Sequence, residues 1–283
     1  MIFVTGSGGF LATYFRKFTK INQKNLLFGS TKKMDLINSI LFENQYEDIE
    51  EKLENYTIST IIHFASVIPD NFGDADIENI LMPNINMLNN IYKFISKKKV
   101  KKFIYLSSFG GGGRPQNPVV KDFYTLSKIA GDHYCTILED RGVSAVSLKV
   151  PSPYGEFSNR NNVLNIFIDR ALKNEELSVI GSTREQNFIY SGDILRAIEL
   201  ALENEISGQF NIVSEKNTNM KELAEIICKI CESKSKITIN DENFVPFKPQ
   251  YVYEVNNRLG YKQKYILKDG LKRYINWKKQ QCK

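Results

Sequence analysis

The sequence predicts an α/β protein built on a doubly wound parallel sheet, with a smaller substrate lobe at its C-terminal end. Three observations predict it. Short apolar runs alternate with longer amphipathic ones through the first half of the chain, the pattern of strand, crossover helix and strand. A glycine-rich stretch, Val4-Thr-Gly-Ser-Gly-Gly-Phe, stands where the first strand would meet the first helix. After Pro151-Ser-Pro-Tyr-Gly the character changes, with shorter elements and a polar run over residues 158–162. The expected division is residues 1–155 for the sheet domain and 156–283 for the smaller lobe, some of whose segments pack back on the first.

The elements follow in order. Buried strands are expected at residues 2–5, 25–28, 60–64, 103–107 and 144–150. Between them, apolar residues at helical spacing place helices at 9–18, around 37–42, at 77–96 and at 123–140. Beyond the change in character, helices are expected at 163–173, 193–203 and 220–231. Residues 234–250 look irregular apart from a short Ile237-Thr-Ile strand.

With 283 residues the chain can bury a core that needs no crosslinks. Cys135, Cys228, Cys231 and Cys282 form no paired framework. The CxxC of Cys228 and Cys231 lies inside a helix-periodic run without a second pair, so neither zinc nor redox work is expected there, nor any metal elsewhere. The chain runs directly into its first strand without a basic leader, and it holds no apolar stretch of membrane-spanning length, so a cytoplasmic protein is expected. The formal charge of +6 is modest. The cluster Lys97, Lys98, Lys99, Lys101 and Lys102 reads as a solvated helix end leading into a strand. No nucleic-acid reader motif is present, whereas an anionic small substrate suits a mildly basic enzyme.

The glycine stretch carries the first chemical inference. A loop directly after a strand and directly before a helix can pass close to a pyrophosphate and aim the helix N-terminus at it. Gly6 and Gly9 fill the first two places of the three-glycine spacing and Ala12 the third, as in a Rossmann dinucleotide site. The second strand usually ends in an acid that holds the ribose hydroxyls of NAD, but here Phe28-Gly-Ser-Thr-Lys-Lys follows. Ser30, Lys32 and Lys33 are therefore candidates for the extra phosphate of NADP, against the alternative of a solvated loop. Asp35 and Leu36 stand where a carboxylate meets the adenine amino group, or where an Asp caps the next helix.

Tyr124-Thr-Leu-Ser-Lys128 carries the second. Residues four apart share a helical face, so phenol and ammonium point at one centre, and a nearby cation lowers the pKa of a tyrosine. Ser108 ends the preceding strand, where its hydroxyl can hydrogen-bond a substrate oxygen whose charge changes. Together the three make an acid, base and polariser set.

Taken in order, VTGSGGFLA, IIHFAS, FIYLSS, YTLSK and LKVPSPYGE resemble the extended short-chain dehydrogenase/reductase family, in particular its nucleotide-sugar epimerase, dehydratase and reductase branch. GSTREQNFIYSGDILRAIELALE and GQFNIVSEKNTNMKELAEII are similar to that branch's C-terminal segments. The resemblance implies Gly6, Gly9, Phe10 and Leu11 on the pyrophosphate, Asp35 and Leu36 at adenine, and Phe64, Ala65 and Ser66 along the cofactor. It implies Ser108, Tyr124 and Lys128 as catalytic residues, Pro151 beside the nicotinamide and Arg184 on the substrate diphosphate. Asn84 matches an asparagine of the long helix behind the cofactor site, with helix capping as the alternative. A homodimer through the helices at 77–96 and 123–140 is implied too.

Departures from the branch decide among its reactions. Phe109 and Gly110 follow Ser108 where dehydratases carry an acidic pair, which disfavours dehydration. The loop after Ser108 is short and glycine-rich over residues 110–113, while Lys149 and Ser152 replace the usual Arg and Asn. The expected function is NADPH-dependent reduction of a nucleotide-linked 4-keto sugar. The alternatives are an NAD-dependent 4-epimerase, a non-epimerising dehydrogenase and, from another class, a dinucleotide-sensing regulator without chemistry.

Overall fold

The computed structural model describes residues 1–36, 38–42, 46–109, 122–242 and 257–281, with the side chains of Tyr46 and Asn257 left aside. In chain order the elements begin β1 (Ile2–Thr5), α1 (Phe10–Phe18), β2 (Leu26–Ser30), β3 (Ser39–Leu41), α2 (Tyr46–Lys52) and β4 (Thr60–His63). A wide helical turn at Ile77–Leu81 leads into α3 (Met82–Lys98), followed by β5 (Lys102–Ser108), α4 (Phe123–Glu139), β6 (Ser144–Val150), β7 (Ser152–Tyr154) and α5 (Val163–Leu172). Then come β8 (Leu177–Val179), β9 (Glu185–Gln186), β10 (Phe188–Tyr190), α6 (Ser191–Glu203), β11 (Gly208–Asn211), β12 (Thr218–Asn219), α7 (Met220–Cys231), β13 (Ile237–Ile239) and α8 (Leu267–Gln281).

One seven-stranded sheet organises these elements, in the order β11-β6-β5-β4-β1-β2-β3 with every pair parallel. Parallel pairing requires crossovers, and helices on both faces bury the central strands, so Val4, Ile62, Ile104, Val146 and Leu148 show no exposure. The strand order reverses between β1 and β4, which is the switch point where doubly wound sheets bind ligands at the carboxyl ends of their strands.

Two expectations need correction. Residues around 37–42, expected as a helix, hold strand β3, while Ile37 itself lies outside the described residues. A short apolar run has no period long enough to separate helix from strand, and pairing with β2 decides it. Gly208–Asn211, a segment from beyond residue 155, lies beside β6 as the seventh strand of the central sheet, in keeping with segments that pack back on the first domain and with no correction to that expectation. The lysine cluster is not uniformly solvated: Lys102 is buried, and its ammonium donates to the carbonyls of Ala201, Leu202 and Asn204 at the end of α6. The glycines at 110–113 and Cys282 lie outside the described residues. Among the described residues no group of acids, histidines and cysteines has the makings of a metal site, and no helix is long and apolar enough to cross a membrane.

Candidate active site

Strand register brings the expected site residues to one edge. Thr5 pairs with Gly29 on one side and His63 on the other, and Ser108 pairs with Val150. The turn after β1, the end of β2, the Phe64-Ala65-Ser66 segment after β4, Ser108 and Pro151 thus all leave the sheet at its carboxyl edge.

On the cofactor side, Gly6 adopts φ +67°, and a β-carbon there would lie 2.5 Å from the backbone of Ala65. Only glycine allows that approach, which presses the Phe64-Ala65-Ser66 segment against the turn. Gly9 precedes α1, and no side chain caps the helix, so its leading N–H groups, those of Phe10 and Leu11 among them, face the turn as a positive pole. Phe64 packs on Phe15 with ring centroids 5.9 Å apart. Ser30 is buried; its hydroxyl accepts from the Lys32 N–H at 3.0 Å and lies 3.8 Å from where a Gly8 β-carbon would be. Lys32 and Lys33 are exposed, as is Asp35, and Leu36 is half-buried. Because a strand follows, Asp35 caps no helix, and that alternative falls. A tight glycine turn under an uncapped helix is what a dinucleotide pyrophosphate requires, and these residues fit one.

The candidate catalytic side is held by α4. Asp122 caps it by accepting from the Thr125 N–H at 2.7 Å and the Thr125 hydroxyl at 3.0 Å, which fixes the first turn and with it Tyr124. Tyr124 is buried, its ring edge-on to Phe72 at 5.4 Å. Burial pushes its pKa up to about 12; the Arg160 guanidinium opposes this, Asp122 adds to it, and the Ser66 hydroxyl opposes it weakly. Lys128 shares the helix face, but its ammonium lies 4.4 Å over the Tyr105 ring and does not act on the pKa of the phenol. The expectation that Lys128 lowers the Tyr124 pKa in the protein alone therefore needs correction. The cation that acts on the phenol is Arg160, from the segment before α5, whose guanidinium donates to the Pro69 carbonyl at 3.0 Å. Among the described residues the Lys128 ammonium has no hydrogen-bond acceptor although the residue is 4% exposed, as suits a group that bonds hydroxyls of a ligand.

The resemblance places Asn84 on the long helix behind the cofactor site, as a candidate to bind substrate. It is buried there, and its amide is committed: Oδ1 accepts from the Val67 N–H at 2.7 Å, and Nδ2 donates to the Val67 carbonyl and the Ser127 hydroxyl, each at 3.0 Å. Ser127 in turn donates to the Tyr124 carbonyl at 2.7 Å. Asn84 thus ties the strap after β4 to α4 and caps no helix. Arg184 stands exposed between β8 and β9, its backbone bonded to Gly181 and Met220, and among the described residues no contact joins its side chain to Tyr124 or Lys128. Arg160 and Phe72, which neighbour Tyr124, and Asp132, which acts on Lys128, are candidate site residues that the motifs did not mark. Only Asp132 carried a signal, since it lies one helical turn beyond Lys128.

The family model described as NAD dependent epimerase/dehydratase family matches residues 2–213. A putative UDP-glucose 4-epimerase of Methanocaldococcus jannaschii is 28% identical over 317 residues, covering 99% of this chain and 98% of the relative. Among solved structures, a UDP-glucose 4-epimerase of Thermotoga maritima with UDP-glucose superposes with a TM-score of 0.84 at 20% identity, covering 100% of this chain and 99% of the other. A UDP-glucose 4-epimerase of Thermus thermophilus in complex with NAD superposes with a TM-score of 0.79 at 18% identity, covering 98% of each. With the glycine turn, the parallel sheet and the tyrosine and lysine of α4 already in place, the chain belongs to the NAD dependent epimerase/dehydratase family and is an enzyme of the extended short-chain dehydrogenase/reductase type.

Proposed function

We propose that the enzyme transfers hydride at C4 of a sugar carried on a nucleoside diphosphate, in the working direction of NADPH-dependent reduction of a 4-keto sugar. The observation that carries this reading is the end of β2, where Ser30, Lys32 and Lys33 stand with no carboxylate, while Tyr124 is a buried phenol, neutral at physiological pH. A neutral phenol donates, and a ketone under reduction needs a proton at oxygen as hydride reaches carbon. The dinucleotide supplies that hydride when bound. Ser108 polarises the carbonyl, Tyr124 delivers the proton and Lys128 holds the ribose hydroxyls of the cofactor. Ser30, Lys32 and Lys33, with no carboxylate at the end of β2, suit a 2′-phosphate and hence NADP. The buried Phe109 after Ser108 supplies no acid or base, which supports reduction over dehydration. Arg184 is the candidate for the substrate diphosphate.

A 4-epimerase is the second reading, favoured by the relatives; there NAD stays bound and the same phenol first removes and then returns the proton. Subunits pair through α3 and α4 in either reading. Mass spectrometry of any dinucleotide that co-purifies, together with Tyr124→Phe, tests the proposal. An empty site with preference for NADPH is expected, and Tyr124→Phe should lower kcat by about 100-fold or more while NADPH still binds. Co-purified NAD would replace the reductase with the epimerase. Unimpaired output from Tyr124→Phe would point to the dinucleotide-sensing regulator, and a non-epimerising dehydrogenase would oxidise its sugar without inverting C4.

A further inference from the structure

A row of polar side chains crosses the sheet beneath α4. Register sets Thr5 beside His63, His63 beside Tyr105, Tyr105 beside Ser147 and, two residues further along, Ser107 beside Lys149. All six are buried. A sheet covered on both faces is ordinarily apolar there, and every buried polar group costs stability unless it is paired. The row therefore needs a reason, and α4 supplies one for Tyr105, Ser147 and Lys149, whereas the Ser107 hydroxyl has no partner among the described residues.

Lys128 and Asp132 lie one turn apart on the helix face that rests on these strands. Both oxygens of the Asp132 carboxylate are held from β6: Lys149 Nζ is 3.1 Å from Oδ2, and the Ser147 hydroxyl donates to Oδ1 at 2.6 Å. The Lys128 ammonium rests over the Tyr105 ring, on which the His63 ring stacks at 5.9 Å. Thr5 Oγ1 lies 2.8 Å from His63 Nδ1 and anchors the far end of the row next to the glycine turn. Gly131 lets Tyr105 lie against the helix, since a β-carbon at that position would fall 2.2 Å from the ring.

We propose that Asp132, fixed by Lys149 and Ser147, is the positioning residue that keeps the Lys128 ammonium charged and directed at the cofactor cleft. The proposal rests on the reading of Lys128 as the cation that holds the cofactor. The groups facing Lys128 are few. From β5, Tyr105 is neutral because burial drives its pKa well up. From β4, His63 is neutral because burial lowers its pKa to about 3. On α4 itself, Tyr124 is neutral at about 12 and the Cys135 thiol is pushed well up by burial. Lys149 on β6 is a second cation committed to the same carboxylate. Among these groups Asp132 is the sole anion. Burial drives the Lys128 pKa down, Asp132 is the largest influence against it, and the balance stands at about 8. The ammonium is therefore present below that pH and lost above it, and removal of the Asp132 charge moves the loss to lower pH.

The test is the affinity of the full-length protein for NADPH, measured by calorimetry from about pH 6 to about pH 9.5, a range that brackets the lysine titration. Wild type should lose affinity on the alkaline side. In Asp132→Asn that loss should begin at least about one pH unit lower, in line with the effect of an opposite charge a few ångströms away. Asp132→Glu should restore the wild-type profile. Because Asp132→Asn strands the Lys149 charge, the double variant Asp132→Asn/Lys149→Met removes both members of the pair and should show the same downward shift in a better folded protein. A lower melting temperature with an unmoved alkaline limb in both Asn variants would overturn the proposal and leave Asp132 a structural role. Failure of the wild type to bind NADPH or NAD at any pH would remove the cofactor reading itself, and the proposal with it.

Discussion

His63 sits between Thr5 and Tyr105 with 1% of its surface exposed, and burial holds its pKa down at about 3. In the unfolded chain the same ring titrates near 6.5. Below that pH the unfolded state binds a proton that the folded state refuses, so this stabilising contribution is complete above about 6.5 and is lost as pH falls towards 3. At about pH 5 the loss comes to about 2 kcal/mol. His63→Gln removes the titration while leaving Thr5 a partner. Between about pH 7 and about pH 5 the unfolding free energy of the wild type should fall by about 2 kcal/mol more than that of the variant; equal falls would contradict the assignment. Arg160 poses the converse question, since its charge acts to lower the Tyr124 pKa. Arg160→Gln should move the rising limb of the oxidative direction to higher pH and cut kcat/KM near neutral pH by about three- to tenfold, with Arg160→Lys recovering most of it. The Tyr124 and Lys128 spacing was legible because it lies within one helix. Arg160 was not, because only tertiary structure carries Asn159-Arg-Asn to the Pro69 carbonyl.

Elements differ in legibility for the same reason. The strand at Ile2–Thr5, that at Ser144–Val150 and the helix at Met220–Cys231 begin and end where their apolar periods do. β11 has a single large apolar residue, Phe210, and becomes a strand only because β6 offers an unpaired edge. α8 buries Leu271, Tyr274 and Ile275 on one stripe, but most of its residues from Lys268 to Gln281 are lysine, arginine, aspartate, asparagine or glutamine, which masks the period. Lys102 shows how far a local reading reaches. A cation at a strand start looks solvated in sequence, whereas here it closes the C-terminal end of α6, where carbonyls lack helical partners and the dipole is negative. Lys102→Met preserves the stem and removes the donor. The carbonyls of Ala201, Leu202 and Asn204 would lose their bonds, and unfolding in urea should show a loss of about 1–3 kcal/mol. A loss below about half a kcal/mol would mean that water replaces the ammonium freely.

At the scale of the whole molecule, the proposed pairing of subunits through α3 and α4 makes a definite demand on their outer faces. Leu126 is 37% exposed and Ile137 43% exposed. Eleven residues separate them, close to three helical turns, so both lie on one stripe of α4. Met82 at the start of α3 is 45% exposed, and Tyr92 on α3 meets Tyr134 on α4 edge to face at 5.7 Å, joining the two helices into one surface. Large apolar side chains aligned on neighbouring helices mark a surface that another protein covers, and a two-fold axis would bring each helix pair against its copy. Leu126 also lies between Tyr124 and Lys128 in the chain while facing outward, so pairing would brace the helix that carries the chemistry. Light scattering of the purified protein should give the mass of a dimer. Leu126→Arg/Ile137→Glu, which buries charge in the proposed seam and touches no group at the catalytic edge, should give a folded monomer with unchanged NADPH affinity. Its melting temperature should become independent of protein concentration, as linkage requires once association is abolished. A wild-type monomer, or a dimer untouched by both charges, would place the contact elsewhere.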